Sequence, residues 1–122
     1  MAKILVVDDS ETLRNQLRKI LDEAGHQVSE AFDGVNGLEV LQNNAGIQLI
    51  ICDVNMPRMD GLTMCQKVHE SPALSKIPIF MLTTESNLDM KAKGKEAGVL
   101  AWITKPFSAP KLVSAVEKVT QK

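Results

Sequence analysis

The chain is poor in cysteine and in aromatic residues. Among its 122 residues there are two cysteines, one tryptophan, three phenylalanines and no tyrosine. Two cysteines cannot build a disulfide framework or supply the four ligands of a structural zinc site. Cys52 ends an apolar run, so we expect a buried, reduced thiol. His26 and His69 lack the spacing of metal ligands, and we expect both to be partly exposed structural residues.

An excess of one charge and a long apolar run are also missing. The net charge of −1 comes from 14 basic and 15 acidic side chains, so we expect neither nucleic acid nor a membrane surface as a partner. No stretch approaches the roughly 20 apolar residues that cross a bilayer, and the apolar run after Lys3 is too short for a signal peptide. We therefore expect a cytoplasmic protein with one domain over residues 1–122.

Five short apolar runs are present, and they predict five strands. The runs are Ile4–Val7, His26–Ala31, Gln48–Cys52, Ile77–Leu82 and Val99–Ile103. Three of them are nearly continuous in isoleucine, leucine and valine, as in strands that are buried on both faces. Segments with helical spacing of apolar residues lie between and after them. This alternation predicts an α/β fold, a doubly wound, five-stranded parallel sheet with five helices on its two faces.

The predicted helices differ in the strength of their apolar stripes. The third helix has a stripe of Leu62, Cys65, Val68 and His69. The fourth helix, about Leu88 to Ala97, has little apolar face and contains a glycine, which costs roughly 1 kcal/mol relative to alanine. Such a segment is either a solvated, marginal helix or a partner surface that shifts.

Polar residues follow four of the five predicted strands. They are Asp8 and Asp9 after the first strand, Asp53 after the third, Thr83 and Thr84 after the fourth, and Thr104 and Lys105 after the fifth. In a doubly wound sheet, ligands bind beyond the carboxyl ends of the strands, where the strand order reverses. Any one of these residues could simply cap a helix or fill a turn. Their convergence on one rim predicts a site.

Three carboxylates on one rim repel each other and require a positive charge nearby. At about 5 Å and an effective dielectric constant near 20, each like-charge pair costs roughly 3 kcal/mol. Hard oxygen ligands select Mg²⁺, Mn²⁺ or Ca²⁺, and a short ligand set with room for water favours Mg²⁺. Lys105 supplies a second positive charge. One carboxylate then becomes a candidate nucleophile toward phosphorus, because the metal ion and the Lys105 ammonium neutralise the negative charge of the phosphoryl oxygens.

Four motifs in order make the sequence similar to the receiver domains of two-component signalling, over nearly its whole length. The motifs are KILVVDDS at Lys3–Ser10, LIICDVNMPRMDG at Leu49–Gly61, PIFMLTTE at Pro78–Glu85 and AGVLAWITKPF at Ala97–Phe107. The resemblance implies a flavodoxin-like, CheY-like fold with strand order 2-1-3-4-5. It also implies a phosphoacceptor signalling protein rather than an enzyme with a separate substrate, one that catalyses its own phosphorylation and dephosphorylation.

The resemblance implies a role for each residue of the rim. Asp53 would be the phosphorylated nucleophile. Mg²⁺, with Mn²⁺ as a substitute, would be held by Asp8, Asp9, Asp53 and the backbone carbonyl of Asn55. Lys105, followed by a cis bond to proline, would pair with a phosphoryl oxygen.

The same resemblance implies a switch beside the rim. Thr83 would donate its hydroxyl to the phosphoryl group, and its movement would open space for Trp102. Trp102 replaces the more usual tyrosine or phenylalanine, and its N–H needs a partner when buried, so it either turns inward or packs on the surface. Thr84 is larger than the usual alanine or serine, and we predict that it narrows the path of attacking water. Glu85 and Lys91 belong to the expected switch and partner face, which the fourth helix, fifth strand and fifth helix form.

These residues favour one of two signalling roles over two other protein classes. Asn55 and Glu85 resemble the CheY-like chemotaxis regulators, which implies a monomer phosphorylated by a CheA-like histidine kinase and read by a flagellar motor switch or a phosphatase. We expect no output domain after the last predicted helix, and the alternative role is then a phosphorelay intermediate that passes its phosphoryl group to a histidine phosphotransfer protein. An aspartyl-nucleophile phosphatase would need acids spaced Asp-x-Asp, whereas Asp8 and Asp9 are adjacent. A flavodoxin-like cofactor binder would need a phosphate-binding loop where this acidic pair stands.

Overall fold

Five parallel strands form the central sheet of the computed structural model, which describes residues 2–120. They are β1 (Lys3–Val7), β2 (Gln27–Ala31), β3 (Leu49–Cys52), β4 (Ile79–Thr83) and β5 (Val99–Thr104), in the order β2-β1-β3-β4-β5. The predicted fold class and strand order are confirmed. The strand order reverses between β1 and β3, which are neighbours, so the residues that follow these two strands lie side by side.

Five helices cover the two faces of this sheet. They are α1 (Glu11–Glu23), α2 (Gly34–Asn43), α3 (Gly61–Glu70), α4 (Leu88–Glu96) and α5 (Ala109–Thr120). A short polar side chain accepts a backbone N–H in the first turn of each helix, as N-cap residues do; these side chains are Ser10, Asp33, Asp60, Asn87 and Ser108. None of the helices described over residues 2–120 is long and apolar enough to cross a membrane.

The core has two parts, one on each face of the sheet. On one face, alternate strand residues such as Leu5 and Ile50 pack with α2 and α3. On the other face, Ile4 and Ile51 pack with Leu17 of α1 and with α5. The central strands β1, β3 and β4 are buried on both sides, as their continuous apolar sequences predict. The rigid sheet therefore fixes the positions of the residues that follow each strand.

Two details differ from the expectations above. His26 is buried rather than partly exposed, because it lies where β2 begins beside β1 and its Nδ1 accepts the N–H of Ala2 at 3.1 Å. Helix α3 buries Met64 together with Cys65 and Val68, while Leu62 is half-buried and His69 is exposed. The buried face of α3 begins at Gly61, and a glycine gives no apolar signal in a periodicity argument. Cys52 and Cys65 are buried free thiols, as expected for Cys52.

Candidate functional site

The three predicted acidic residues meet at the carboxyl ends of β1 and β3. Because Val7 is paired with Cys52 across these strands, Asp8 and Asp53 follow them at the same level of the sheet. One carboxylate oxygen from each of Asp8, Asp9 and Asp53 lies within 4.8 Å of the other two. Asp8 and Asp53 are buried and Asp9 is exposed, so the acidic cluster of these three residues opens to solvent on one side.

The backbone orients the two buried carboxylates of the acidic cluster. Asp8 Oδ1 accepts the N–H of Ser10 at 2.8 Å, and Asp53 Oδ1 accepts the N–H of Val54 at 2.7 Å. In both residues Oδ2 is then directed to the same cation, Lys105, whose Nζ lies 3.2 Å from each of these oxygens. Charge-assisted hydrogen bonds of this kind are stronger than neutral ones.

Lys105 reaches the acidic cluster because of its position after β5. Its backbone N–H donates to the carbonyl of Thr83 at 2.8 Å, which ties the end of β5 to the end of β4. The following bond to Pro106 is cis, as the resemblance implied. The structure thus brings Asp8, Asp9, Asp53 and Lys105 together, as predicted, and Thr83 adjoins them through its backbone carbonyl. Thr84 and Thr104, also predicted at this rim, are exposed.

The charges at this site do not balance without a further cation. Burial raises the pKa of Asp8, although the N–H of Ser10 and the Lys105 ammonium oppose it. Burial lowers the pKa of Lys105, but the charges of Asp8 and Asp53 outweigh it, so that this pKa is raised overall. Three ionised carboxylates and one ammonium sum to −2. An all-oxygen donor set with this net charge and one open side fits Mg²⁺ or Mn²⁺.

Thr83 and Glu85 connect the end of β4 to Trp102. Thr83 is fully buried, and its hydroxyl accepts the N–H of Glu85 at 3.2 Å. The carbonyl of Glu85 accepts the indole N–H of Trp102 at 2.8 Å. The indole N–H therefore has the partner that it needs. Thr84, between these residues, is exposed.

The indole ring of Trp102 packs against α4 rather than lying on the open surface. A Cβ atom at Gly94 would lie 2.9 Å from the ring atom Cζ3, so only glycine leaves room for the ring there. Gly94 is the buried residue of α4, while Lys91 is half-buried. Gly94, which lowers the predicted stability of α4, is thus the residue against which the Trp102 ring packs. Asn55 is exposed in the loop between β3 and α3.

Sequence reasoning missed two arginines near the site. Arg14 of α1 donates from Nη1 to the backbone carbonyl of Asp8 at 2.6 Å and from Nε to Glu30 at 3.2 Å. Arg58, in the loop after Asp53, forms an ion pair with a residue 25 positions earlier in the chain. No short-range spacing signals either contact, because each depends on how separate elements pack.

Comparison with known proteins agrees with this geometry. Residues 4–117 match the family model described as the response regulator receiver domain. The chain is 40% identical over 118 residues to the chemotaxis protein CheY1 of Helicobacter pylori, covering 96% of this chain and 95% of that protein. It is 38% identical to the chemotaxis protein CheY homolog of Campylobacter jejuni, covering 96% and 91%.

Solved structures give the same result. The structure of the chemotaxis protein CheY4 of Vibrio cholerae has a TM-score of 0.90 and 38% identity, covering 98% of each chain. A putative response regulator from Chloroflexus aurantiacus has a TM-score of 0.91 and 34% identity, covering 99% of this chain and 98% of the other. The chain belongs to the response regulator receiver domain family.

Proposed function

We propose that this receiver is a chemotaxis-type response regulator that accepts a phosphoryl group on Asp53 in a Mg²⁺-dependent reaction. The observation that carries the proposal is the meeting of Asp53 with two further carboxylates and the Lys105 ammonium at one end of the sheet. The names of the relatives from H. pylori and C. jejuni support the assignment to chemotaxis. In this role the chain is a signalling protein that reacts once per signal, not an enzyme that turns over a separate substrate.

The oriented carboxylate of Asp53 suits nucleophilic attack on phosphorus. The Val54 N–H orients Oδ1, and we take Oδ2 as the reacting oxygen because it lies beside the Lys105 ammonium, which can then donate to the incoming phosphoryl oxygens. Attack on the phosphohistidine of a kinase forms an O–P bond and breaks the P–N bond, and the imidazole leaves. Mg²⁺, held by Asp8, Asp9, Asp53 and the Asn55 carbonyl, would neutralise charge on the phosphoryl oxygens when bound. Lys105 donates to one of these oxygens.

The contacts from Thr83 to Trp102 give the phosphoryl group a physical route to the partner face. A phosphoryl group adds about −1.5 to −2 charge at neutral pH and three acceptor oxygens. When Thr83 turns its hydroxyl toward such an oxygen, it gives up the Glu85 N–H that it now accepts. The Glu85 backbone is free to move, and with it the carbonyl that holds Trp102. The phosphoryl group thus biases a two-state element on the face of α4, β5 and α5, which includes Lys91.

The partners follow from this mechanism. We expect a CheA-like histidine kinase as the phosphoryl donor in the cytoplasm, and a flagellar motor-switch protein or a phosphatase as the reader of a monomeric regulator. Mixing the phosphorylated chain with a motor-switch protein and, separately, with a histidine phosphotransfer protein distinguishes this role from a phosphorelay. Rapid loss of the phosphoryl group to the phosphotransfer protein, without binding to the motor-switch protein, would favour the phosphorelay.

Removal of divalent cations tests the proposed reaction directly. The purified chain incubated with acetyl phosphate and Mg²⁺ is expected to gain one phosphoryl group, visible in its intact mass. The same incubation with excess EDTA should give little or no adduct, because the site keeps its net charge of −2 and repels the phosphoryl donor. An adduct of equal yield with and without EDTA would contradict the metal-dependent mechanism.

Replacement of Thr84 by alanine should shorten the lifetime of the phosphorylated protein. Thr84 is exposed beside the buried Thr83, and we propose that its side chain restricts the approach of water to Asp53. We expect both phosphorylation and hydrolysis to become about threefold faster in Thr84→Ala, a change of ~0.65 kcal/mol in the barrier. The decay of the phosphoryl adduct after removal of the donor measures this, and Ser86→Ala, an exposed neighbour, is the control. An unchanged decay rate would show that Thr84 does not shield the acceptor.

A further inference from the structure

A forked ion pair fastens the loop after the phosphoacceptor to the start of α2. Arg58 Nε lies 2.7 Å from Asp33 Oδ2, and its Nη2 lies 3.2 Å from Oδ1. The Asp33 side chain is 1% exposed and the Arg58 side chain 53% exposed, so the arginine reaches inward from the surface to a buried anion. Hydrogen bonding to Arg58 lowers the pKa of Asp33, which keeps the pair charged at neutral pH. Such paired geometry fixes orientation as well as distance.

Two further contacts hold the same loop at the same place. The carbonyl of Met59 accepts the N–H of Gly34 at 3.0 Å, and a Cβ atom at Gly34 would lie 2.7 Å from that oxygen. The guanidinium carbon of Arg58 lies 5.6 Å from the ring centroid of Phe32, within the range of a cation–π contact. Residues 58 and 59 are thus docked on residues 32–34 through a side-chain pair, a backbone hydrogen bond and an aromatic contact.

The backbone of Arg58 indicates that these contacts hold the loop in a conformation it would not adopt alone. Its φ angle is 62°, in the left-handed region that residues other than glycine rarely occupy. Unfavourable backbone angles persist only where the surrounding structure imposes them. Loss of the Arg58 side chain removes two of these three contacts, and we expect the loop from Asp53 to Asp60 to gain freedom.

We propose that Arg58 is a positioning residue, whose forked pair with buried Asp33 holds the loop of residues 53–60 in place and thereby sets the affinity of the acidic cluster for Mg²⁺. The inference rests on the proposed function, in which this loop contributes the Asn55 carbonyl as a ligand three residues before Arg58. A loop that is already ordered loses less entropy when the ion binds. Partners that orient metal ligands are commonly worth 10- to 100-fold in metal affinity.

The direction of the effect separates positioning from simple electrostatics. Removing Arg58 takes away a positive charge and leaves buried Asp33 as an uncompensated negative charge. If Arg58 acted only through its charge, its loss would strengthen the binding of a cation. If it positions the loop, its loss weakens that binding. The two roles predict changes of opposite sign.

Titration calorimetry with MgCl₂ on the intact chain tests the proposal, with Mn²⁺ binding by electron paramagnetic resonance as a second readout. We expect Arg58→Ala to bind about tenfold more weakly than the parent. Arg58→Lys keeps the positive charge but cannot form the forked pair of hydrogen bonds with Asp33, so its Mg²⁺ affinity should lie between those of the parent and Arg58→Ala. Arg18→Ala is the matched control, because Arg18 is 43% exposed and its Nε also lies 2.7 Å from its partner, Glu30, which is in β2 and not in the loop of residues 53–60.

The outcomes distinguish this inference from the proposed function. Mg²⁺ affinity in Arg58→Ala that equals or exceeds that of the parent would overturn the positioning role while leaving the proposed function intact. An equal loss in Arg18→Ala would also overturn it, because a general loss of stability would then explain both. Asp33→Asn, which retains the cap of α2 but not the charge, should reproduce the loss. If the parent itself binds no Mg²⁺, the proposed function fails and the inference with it.

Discussion

Asp53→Asn is expected to abolish the phosphoryl adduct that the parent chain forms with acetyl phosphate and Mg²⁺. The substitution keeps the size of the side chain, and its amide oxygen can still accept the Val54 N–H in place of Oδ1. It removes the anionic oxygen that, in the proposed reaction, attacks phosphorus. It also places an NH₂ donor against the ammonium of Lys105, which now donates to Asp53 Oδ2 at 3.2 Å. Both the nucleophile and one cation ligand are therefore lost.

Intact mass spectrometry over a time course measures this effect, and we expect a yield below detection for Asp53→Asn. Asp60→Asn is a matched control, since Asp60 is an exposed cap of α3 outside the acidic cluster and should leave the yield unchanged. Removing one of three mutually repelling carboxylates should not lower the thermal stability. A loss of the adduct in a protein with an undiminished melting temperature thus reports on chemistry and not on unfolding. A phosphoryl adduct of equal yield on both variants would show that Asp53 is not the acceptor.

Much of this site could be predicted from the sequence because parallel topology does the positioning. Once the strands before Asp8 and Asp53 are known to be parallel and adjacent, both residues must lie at one end of the sheet. The same reasoning brings Thr83 and Lys105 to that end from β4 and β5. Residue types then limit the chemistry, since carboxylates and an ammonium select a hard cation and a phosphoryl group.

The contacts that the sequence did not reveal are those that depend on packing between loops and helices. The pair of Arg58 and Asp33 joins two loops, and the hydrogen bond of Arg14 to the Asp8 carbonyl joins α1 to the end of β1. Neither follows from periodicity, because periodicity describes spacing within one element and both contacts join different elements or loops. The sequence also did not reveal the close contact between Gly94 and Trp102. A glycine in a helix with little apolar face predicts only lower helix stability.

Gly61 shows most sharply how packing limits the sequence around Asp53, and Gly61→Ala should lower both stability and the proposed phosphorylation. A Cβ atom at this position would overlap the carbonyl oxygen of Asp53 and lie 3.0 Å from the sulfur of Cys52. The obstacle is the backbone of Asp53 itself, and a rotamer change cannot relieve it. Helix α3 must retreat from β3 or the end of β3 must bend, and either movement breaks the 2.8 Å hydrogen bond from the Gly61 N–H to Val54.

We expect Gly61→Ala to lose about 3 kcal/mol of unfolding free energy, the upper end for overpacked sites, as measured by urea denaturation. In the protein that remains folded, Asp53 is displaced relative to Lys105, and a misplacement of about 1 Å can slow a reaction by roughly 100-fold. Gly25→Ala is the control, because Gly25 has φ of 91° with nothing within 4 Å of an added Cβ. It should lower stability by about 1 kcal/mol through its backbone angle alone and phosphorylate at the parental rate. If Gly61→Ala matched the parent in both unfolding free energy and phosphorylation rate, α3 would have to be free to move away from β3. The close contact between α3 and β3 would then not be what fixes the position of Asp53.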